Sequence, residues 1–215
     1  MKTIIFDLDD TIYSYKDCNY AAEKALYRKI SQDCLITEDE AAQYLKFAKR
    51  GVKDLVGGTA AEHNRFLYMQ YICELLKISP FRYAYNWYRI YWDIFLNVCY
   101  PYEYVIPTFE YLAKKEIKIG ILTDLTVYIQ FKKIKKLQIE KYIDYIVTSE
   151  EVGCEKPHEK MFLKALEKAH CAPSEAFMLG DSLEKDILGA KACGIEGILY
   201  KNGVNVLDLL KKMGC

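Results

Sequence analysis

The sequence predicts an α/β protein: a Rossmann-like parallel sheet with helices on both faces, interrupted by an inserted, all-helical cap. Three observations carry this expectation. Short, continuously apolar runs recur along the chain, as expected of strands buried on both faces. Helical patterns separate the later runs, the alternation that yields right-handed parallel crossovers. Finally, the stretch from residue 9 to 116 is far longer than one crossover needs, yet it is patterned as helices and not as loop.

In chain order, strands are expected at residues 3–8, 117–123, 145–148, 176–180 and 195–200. Between the later strands, helices are expected at 127–137, 158–169 and 185–193. The long gap reads as helices at 20–31, 38–53, 60–76 and 83–98. Gly57-Gly58-Thr59 and Ser79-Pro80 break the pattern between them. The core is therefore assigned to residues 1–13 and 101–215, and the helical cap to 14–100, covering the carboxyl ends of the sheet. Ligands of open α/β sheets bind at those ends.

The 215 residues are 52% hydrophobic and 28% charged, enough apolar material for a proper core and unlike a disordered chain. With 30 basic and 30 acidic residues the formal net charge is zero, so nothing global draws the chain to nucleic acid or to an anionic membrane. A phosphorylated small molecule would have to be attracted by a local site. No apolar run approaches the roughly 18 residues that span a bilayer, and the amino terminus lacks the apolar stretch of a signal peptide. The eight cysteines form no C-x-x-C pair. The expectation is a cytoplasmic protein with reduced cysteines, most of them small core residues.

Acidic residues close three of the five expected strands. The first ends Asp7-Leu8-Asp9-Asp10-Thr11, the second Thr123-Asp124, and the fourth Gly180-Asp181-Ser182, with Asp186 following. Any one of these could be a helix cap or a turn former. Together, at one edge of one sheet, they form a cluster whose mutual repulsion calls for a cation. All-oxygen donors suit Mg²⁺, which binds through carboxylates, waters and substrate phosphate. Asp7 is the candidate nucleophile, forming an aspartyl-phosphate and dividing one difficult displacement into two easier ones. Asp9 is the candidate acid and base, protonating the leaving alkoxide and then deprotonating the hydrolytic water. Lys156, in Glu155-Lys156-Pro157 after the third strand, would meet the remaining phosphoryl charge with the Thr123 hydroxyl and nearby amides.

In this order the residues resemble the haloacid dehalogenase-like superfamily. Asp7-Leu8-Asp9-Asp10-Thr11 is similar to its first motif, D-x-D-x-T. Thr123 stands at the Thr/Ser of the second, Lys156 at the lysine of the third, and Gly180-Asp181 with Asp186 at the fourth. The resemblance implies a helical cap inserted just after the first motif. It implies Mg²⁺ held by the Asp7 and Asp181 side chains and the Asp9 backbone carbonyl, with Asp186 behind them or bridged through water. It also implies that Thr11 orients the Asp9 side chain. Relatives that cleave carbon–halogen bonds lack the second aspartate, so Asp9 points to a phosphatase. A phosphomutase of the β-phosphoglucomutase kind shares Asp9 and remains open, as does a low-turnover binding or regulatory protein. Thr123-Asp124-Leu125-Thr126 departs from the frequent Thr-Asn-Gly, in a loop that would offer phosphate-binding amides, Asp124 included.

In the cap, His63 and Arg65 are the candidates for reading the substrate's leaving group. The run Lys132-Lys133-Ile134-Lys135-Lys136, with Phe131, Ile134 and Leu137 as its apolar stripe, is expected to be an amphipathic helix with a solvated lysine face. Tyr88, Trp92 and Phe95 read as a core stripe, with stacking on an aromatic leaving group as the rival use. His158 and His170 are expected at the surface. The expected substrate is the phosphate monoester of a small metabolite, a nucleoside 5′-monophosphate or a sugar phosphate; the sequence names neither the exact substrate nor the oligomeric state.

Overall fold

The computed structural model describes residues 1–201 and 205–212. Cys215, one of the eight cysteines, lies outside them. The chain divides into two compact units, Met1–Ser14 with Tyr100–Cys215, and Tyr15–Cys99.

The first unit is built on five parallel strands: β1 (Thr3–Phe6), β2 (Lys118–Thr123), β3 (Tyr145–Thr148), β4 (Ala176–Gly180) and β5 (Glu196–Leu199). Their spatial order is β3-β2-β1-β4-β5. Chain progress is outward from β1 through β2 to β3, then across to β4 and β5. The direction therefore reverses beside β1, the place where such sheets bind ligands. Strands β1 and β4 are buried along their whole length, as their unbroken apolar runs require.

Both faces of the sheet are covered. On one, Ile5, Leu122, Val147 and Met178 pack with Met161, Phe162 and Ala165 of α8 (Glu159–Ala169). On the other, the Phe6 ring meets Phe109 of α5 (Val105–Lys114) edge-on at 5.0 Å. α5 is not among the helices expected from the sequence. Pro107 occupies the first turn, where a helix needs no N–H from it. The other helices of this unit are α6 (Val127–Leu137), α7 (Ser149–Val152), α9 (Gly189–Ala192) and α10 (Val206–Lys212). The expected helix at 185–193 is instead a π-helical turn, Leu183–Leu188, followed by α9.

The second unit is all-helical: α1 (Tyr15–Cys34), α2 (Glu38–Val56), α3 (Arg65–Leu75) and α4 (Pro80–Asn97). Thr37 and Glu40 close a capping box at the start of α2, each side chain accepting the other residue's backbone N–H. The single helix expected at 60–76 is divided. Asn64 leaves helical geometry, and its side chain accepts the Phe66 N–H at 2.9 Å, starting α3 afresh. Pro80 sits in the first turn of α4, so the helix begins there and not three residues later.

Trp92 and Phe95 are buried and Tyr88 half-buried, as a core stripe requires. Cys18, Cys73 and Cys99 are buried, Cys154, Cys171 and Cys193 are half-buried against the sheet core, and Cys34 is half-buried; all seven are unbridged. Among the described residues, no helix is long and apolar enough to cross a membrane.

Candidate active site

The sheet brings the acidic strand ends together. The Asp7 N–H donates to the Leu179 carbonyl at 2.9 Å, which anchors Asp7 one residue beyond β1 and beside β4. The chain then turns sharply. Asp10 takes a left-handed conformation (φ 58°), one of the shapes an aspartate tolerates, and the Ile12 N–H closes the turn onto the Leu8 carbonyl at 2.9 Å. From the end of β4 come Asp181 and, one π turn on, Asp186. One carboxylate oxygen from each of Asp7, Asp181 and Asp186 lies within 4.8 Å of the others. Asp186, expected behind the metal ligands or bridged through water, has its carboxylate in this group.

Gly180 is what lets Asp186 in. A Cβ there would stand 2.4 Å from the Asp186 carboxylate. The Ser182 N–H donates to Asp186 at 3.0 Å and fixes it from the other side.

Lys156 bridges the cluster, donating to Asp7 at 2.6 Å and to Asp186 at 2.7 Å. All three side chains are buried. Fully ionised, three carboxylates and one ammonium leave two negative charges. Burial accordingly pushes the Asp7 carboxyl well above the usual carboxylate range; Lys156 pulls it back, and Asp186 and Asp9 push it further up. Asp181 is raised too, first by burial and then by Asp186 and Asp10. The Lys156 ammonium is held on its proton against burial by Asp186, Asp7 and Asp124.

Asp9 is bound from two sides that the sequence did not foretell. The Tyr13 hydroxyl donates to one carboxylate oxygen at 2.5 Å, and the Lys133 ammonium donates to both, at 2.7 and 2.9 Å. Thr11, expected to orient Asp9, instead donates to Asp7 at 3.1 Å. Four residues on, in the turn closed between Leu8 and Ile12, its hydroxyl faces back on Asp7.

Lys133 also corrects the reading of the basic run. It is fully buried, whereas Phe131, assigned to the apolar stripe, is 54% exposed. The inward face of α6 carries Gln130, Lys133, Ile134 and Leu137, a helical spacing in which one cation is turned toward Asp9. A polar residue at a core position of that spacing was the available signal.

Thr123 is buried at the end of β2, and its hydroxyl accepts the Gln130 amide at 2.6 Å. The same amide donates to the Asp124 carbonyl at 2.6 Å, which pins the loop. The Asp124 carboxylate is engaged elsewhere: it accepts the Lys156 N–H at 3.0 Å and the Lys185 ammonium at 3.0 Å. It thereby ties the backbone of Lys156 to the end of β2.

The other predicted residues lie in the helical unit. Arg65, at the start of α3, is buried and His63 half-buried. His158 and His170 are exposed helix caps: the His158 ring accepts the Lys160 N–H, and His170 ends α8 in a left-handed turn.

The sequence profile described as "Haloacid dehalogenase-like hydrolase" matches residues 4–200. A ribulose-1,5-bisphosphate 5-phosphatase from Halopiger xanaduensis is 37% identical over 199 residues, covering 92% of this chain and 83% of its own. A glyceraldehyde 3-phosphate phosphatase from Methanopyrus kandleri is 28% identical over 205 residues, covering 94% and 85%. Among solved structures, a HAD phosphatase from Thermococcus onnurineus superposes with a TM-score of 0.75 at 26% identity, over 99% of this chain and 97% of its own. The profile spans most of the sequence. The chain belongs to the haloacid dehalogenase-like hydrolases and is a hydrolase of phosphoric monoesters.

Proposed function

We propose that the chain is a cytoplasmic, Mg²⁺-dependent phosphatase of small sugar phosphates, working through an aspartyl-phosphate on Asp7. The observation that carries this reading is the group of buried Asp7 and Asp186 with exposed Asp181, whose all-oxygen donors, and the two negative charges left after Lys156 is counted, fit a hard divalent cation. Asp7 and Asp181 would hold the ion by their side chains and Asp9 by its backbone carbonyl, with Asp186 completing or backing the set. When bound, the ion supplies charge neutralisation for the phosphoryl group.

The chain's own residues divide the remaining work. The Asp7 carboxylate attacks phosphorus. Lys156, which touches Asp7, meets the charge on the phosphoryl oxygens, with Thr123 and the Asp124 loop beside it. Asp9 gives a proton to the leaving oxygen and then takes one from the water that cleaves the acyl phosphate, so protons balance over the cycle. His63 and Arg65 read the leaving group. The names of the two relatives favour sugar phosphates over nucleotides, with a pentose bisphosphate and glyceraldehyde 3-phosphate the first substrates to try.

The test is phosphate release from a panel of sugar phosphates, nucleotides and phosphoglycolate, with and without Mg²⁺. Metal-dependent release that ranks sugar phosphates first is the expected result. A nucleotide-first ranking would overturn the substrate class. Isomerised product without free phosphate would make the chain a mutase.

Two further outcomes follow from the geometry. Lys133→Met keeps the buried stem and removes the cation that fixes Asp9, so kcat should fall about 10- to 100-fold with KM nearly unchanged, as for a lost contributor to proton transfer. Steady-state kinetics with a folded control decide it.

The second concerns pH and metal. The raised Asp7 and Asp181 carboxyls make the folded chain bind more protons than the unfolded one as pH rises from the ordinary value of 3.8. Metal-free stability should therefore fall as pH rises through that window. Near pH 7, Mg²⁺ at about 100 times its Kd should add about 2.7 kcal/mol, read as a rise in Tm. Asp7→Asn should raise the metal-free Tm and shrink the Mg²⁺ effect.

A further inference from the structure

Arg65 is an unusual cation. Its side chain is only 5% exposed, and in water's absence a guanidinium is costly without compensation. No carboxylate of the described residues pairs with it. Its partners are neutral: Nε donates to the Tyr91 hydroxyl at 3.3 Å, one terminal nitrogen to the His63 carbonyl at 2.7 Å, and the other to the Tyr15 hydroxyl. The rings of Tyr15, Tyr68, Tyr91 and Trp92 surround the guanidinium at 5.4–5.9 Å, offering their π faces. Three of the five N–H groups of an arginine are thus used, and one remains on each terminal nitrogen.

Arg65 also lines a cavity of about 420 Å³ within the helical unit, together with Lys46, Lys49, Arg50 and Lys53 of α2. Two of these cations are already met: Lys49 pairs with Glu23, and Lys53 with Glu62 at 3.5 Å. Lys46 and Arg50 are exposed and, like Arg65, have no acidic partner among the described residues. A chain of zero net charge thus collects three uncompensated cations around one cavity.

We propose that this cavity is an anion site for a phosphate group, gripped by Arg65 from within and by Lys46 and Arg50 at its mouth. The proposal extends the reading of Arg65 as a substrate-binding residue. The phosphate has two possible sources, a second phosphate on the substrate or a free phosphate that acts as an effector.

Arg65→Met would remove the centre of an aromatic cluster, so the exposed pair carries the test. The Lys46→Ala/Arg50→Ala variant is compared with the wild type on a pentose bisphosphate and on the corresponding monophosphate. In parallel, the Tm shift given by inorganic phosphate is measured for both proteins at fixed ionic strength. A second substrate phosphate predicts a KM for the bisphosphate raised about tenfold or more, from lost charge-assisted contacts, with kcat and the monophosphate KM nearly unchanged. A free effector predicts unchanged KM values and a phosphate-induced Tm shift smaller in the variant than in the wild type. Equal Tm shifts with unchanged KM values would overturn the site. The Tm arm does not need turnover, so a chain that hydrolysed nothing would defeat the phosphatase reading while still deciding the cavity. Normal hydrolysis with equal Tm shifts would do the reverse.

Discussion

Asp7→Asn should abolish phosphate release while leaving the fold in place. An amide is close to isosteric with the carboxylate and can keep the contact with Thr11. It is a far poorer nucleophile, and without the acyl phosphate the reaction must proceed by direct attack of water, so the two-step path is lost. The change also removes one charge from the Asp7, Asp181 and Asp186 group. Activity within tenfold of the wild type, from protein shown to be free of deamidation, would end the assignment of Asp7 as nucleophile.

Asp9→Asn should be the second most damaging change. General acid–base catalysis contributes about 10²–10⁴-fold, and one carboxylate serving both half-reactions loses its contribution in each, so the loss in kcat should sit at or somewhat above the top of that range. The size should depend on the leaving group. A substrate that departs without protonation, such as an activated aryl phosphate, should recover much of the first step. Equal losses on sugar and aryl phosphates would instead point to a general disturbance of the site. The surroundings make that check necessary: Lys133, fully buried, faces Asp9 with its whole ammonium group and would be left against a neutral amide. Burst kinetics separate acyl-phosphate formation from its hydrolysis and show in which step the loss falls.

The residues legible in the sequence are those whose signal is local. The apolar runs of β1 and β4 and the acids that end them announce both the sheet and the edge where the chemistry sits, because buried parallel strands have little freedom of composition. Asp7, Asp181 and Asp186 were legible together because topology alone puts strand ends on one side of a parallel sheet. The contacts that depend on long-range packing were not. Lys133 lies among other lysines, and only the rotation of α6 against the sheet separates the one that meets Asp9 from those at the surface. Likewise the residue touched by the Thr11 hydroxyl is decided by a turn around the left-handed Asp10, which periodicity does not encode. The carboxylate of Asp124 is bound to Lys156 and Lys185, residues distant in sequence, a use that no local pattern shows. In the helical unit, the buried state of Arg65 follows from four aromatic residues on three helices closing around it, which no spacing within one helix reveals.

The most direct test of the central claim is to stop the wild-type enzyme with acid during turnover of its best sugar phosphate and locate the phosphoryl group by peptide mapping at low pH, while borohydride reduction of a parallel sample releases the phosphate and marks the acylated aspartate as homoserine. A phosphoryl group on the peptide carrying Asp7, dependent on Mg²⁺ and more abundant in Asp9→Asn if the second step has become limiting, is the result predicted. Turnover with no label on Asp7, or label on another residue, would contradict it.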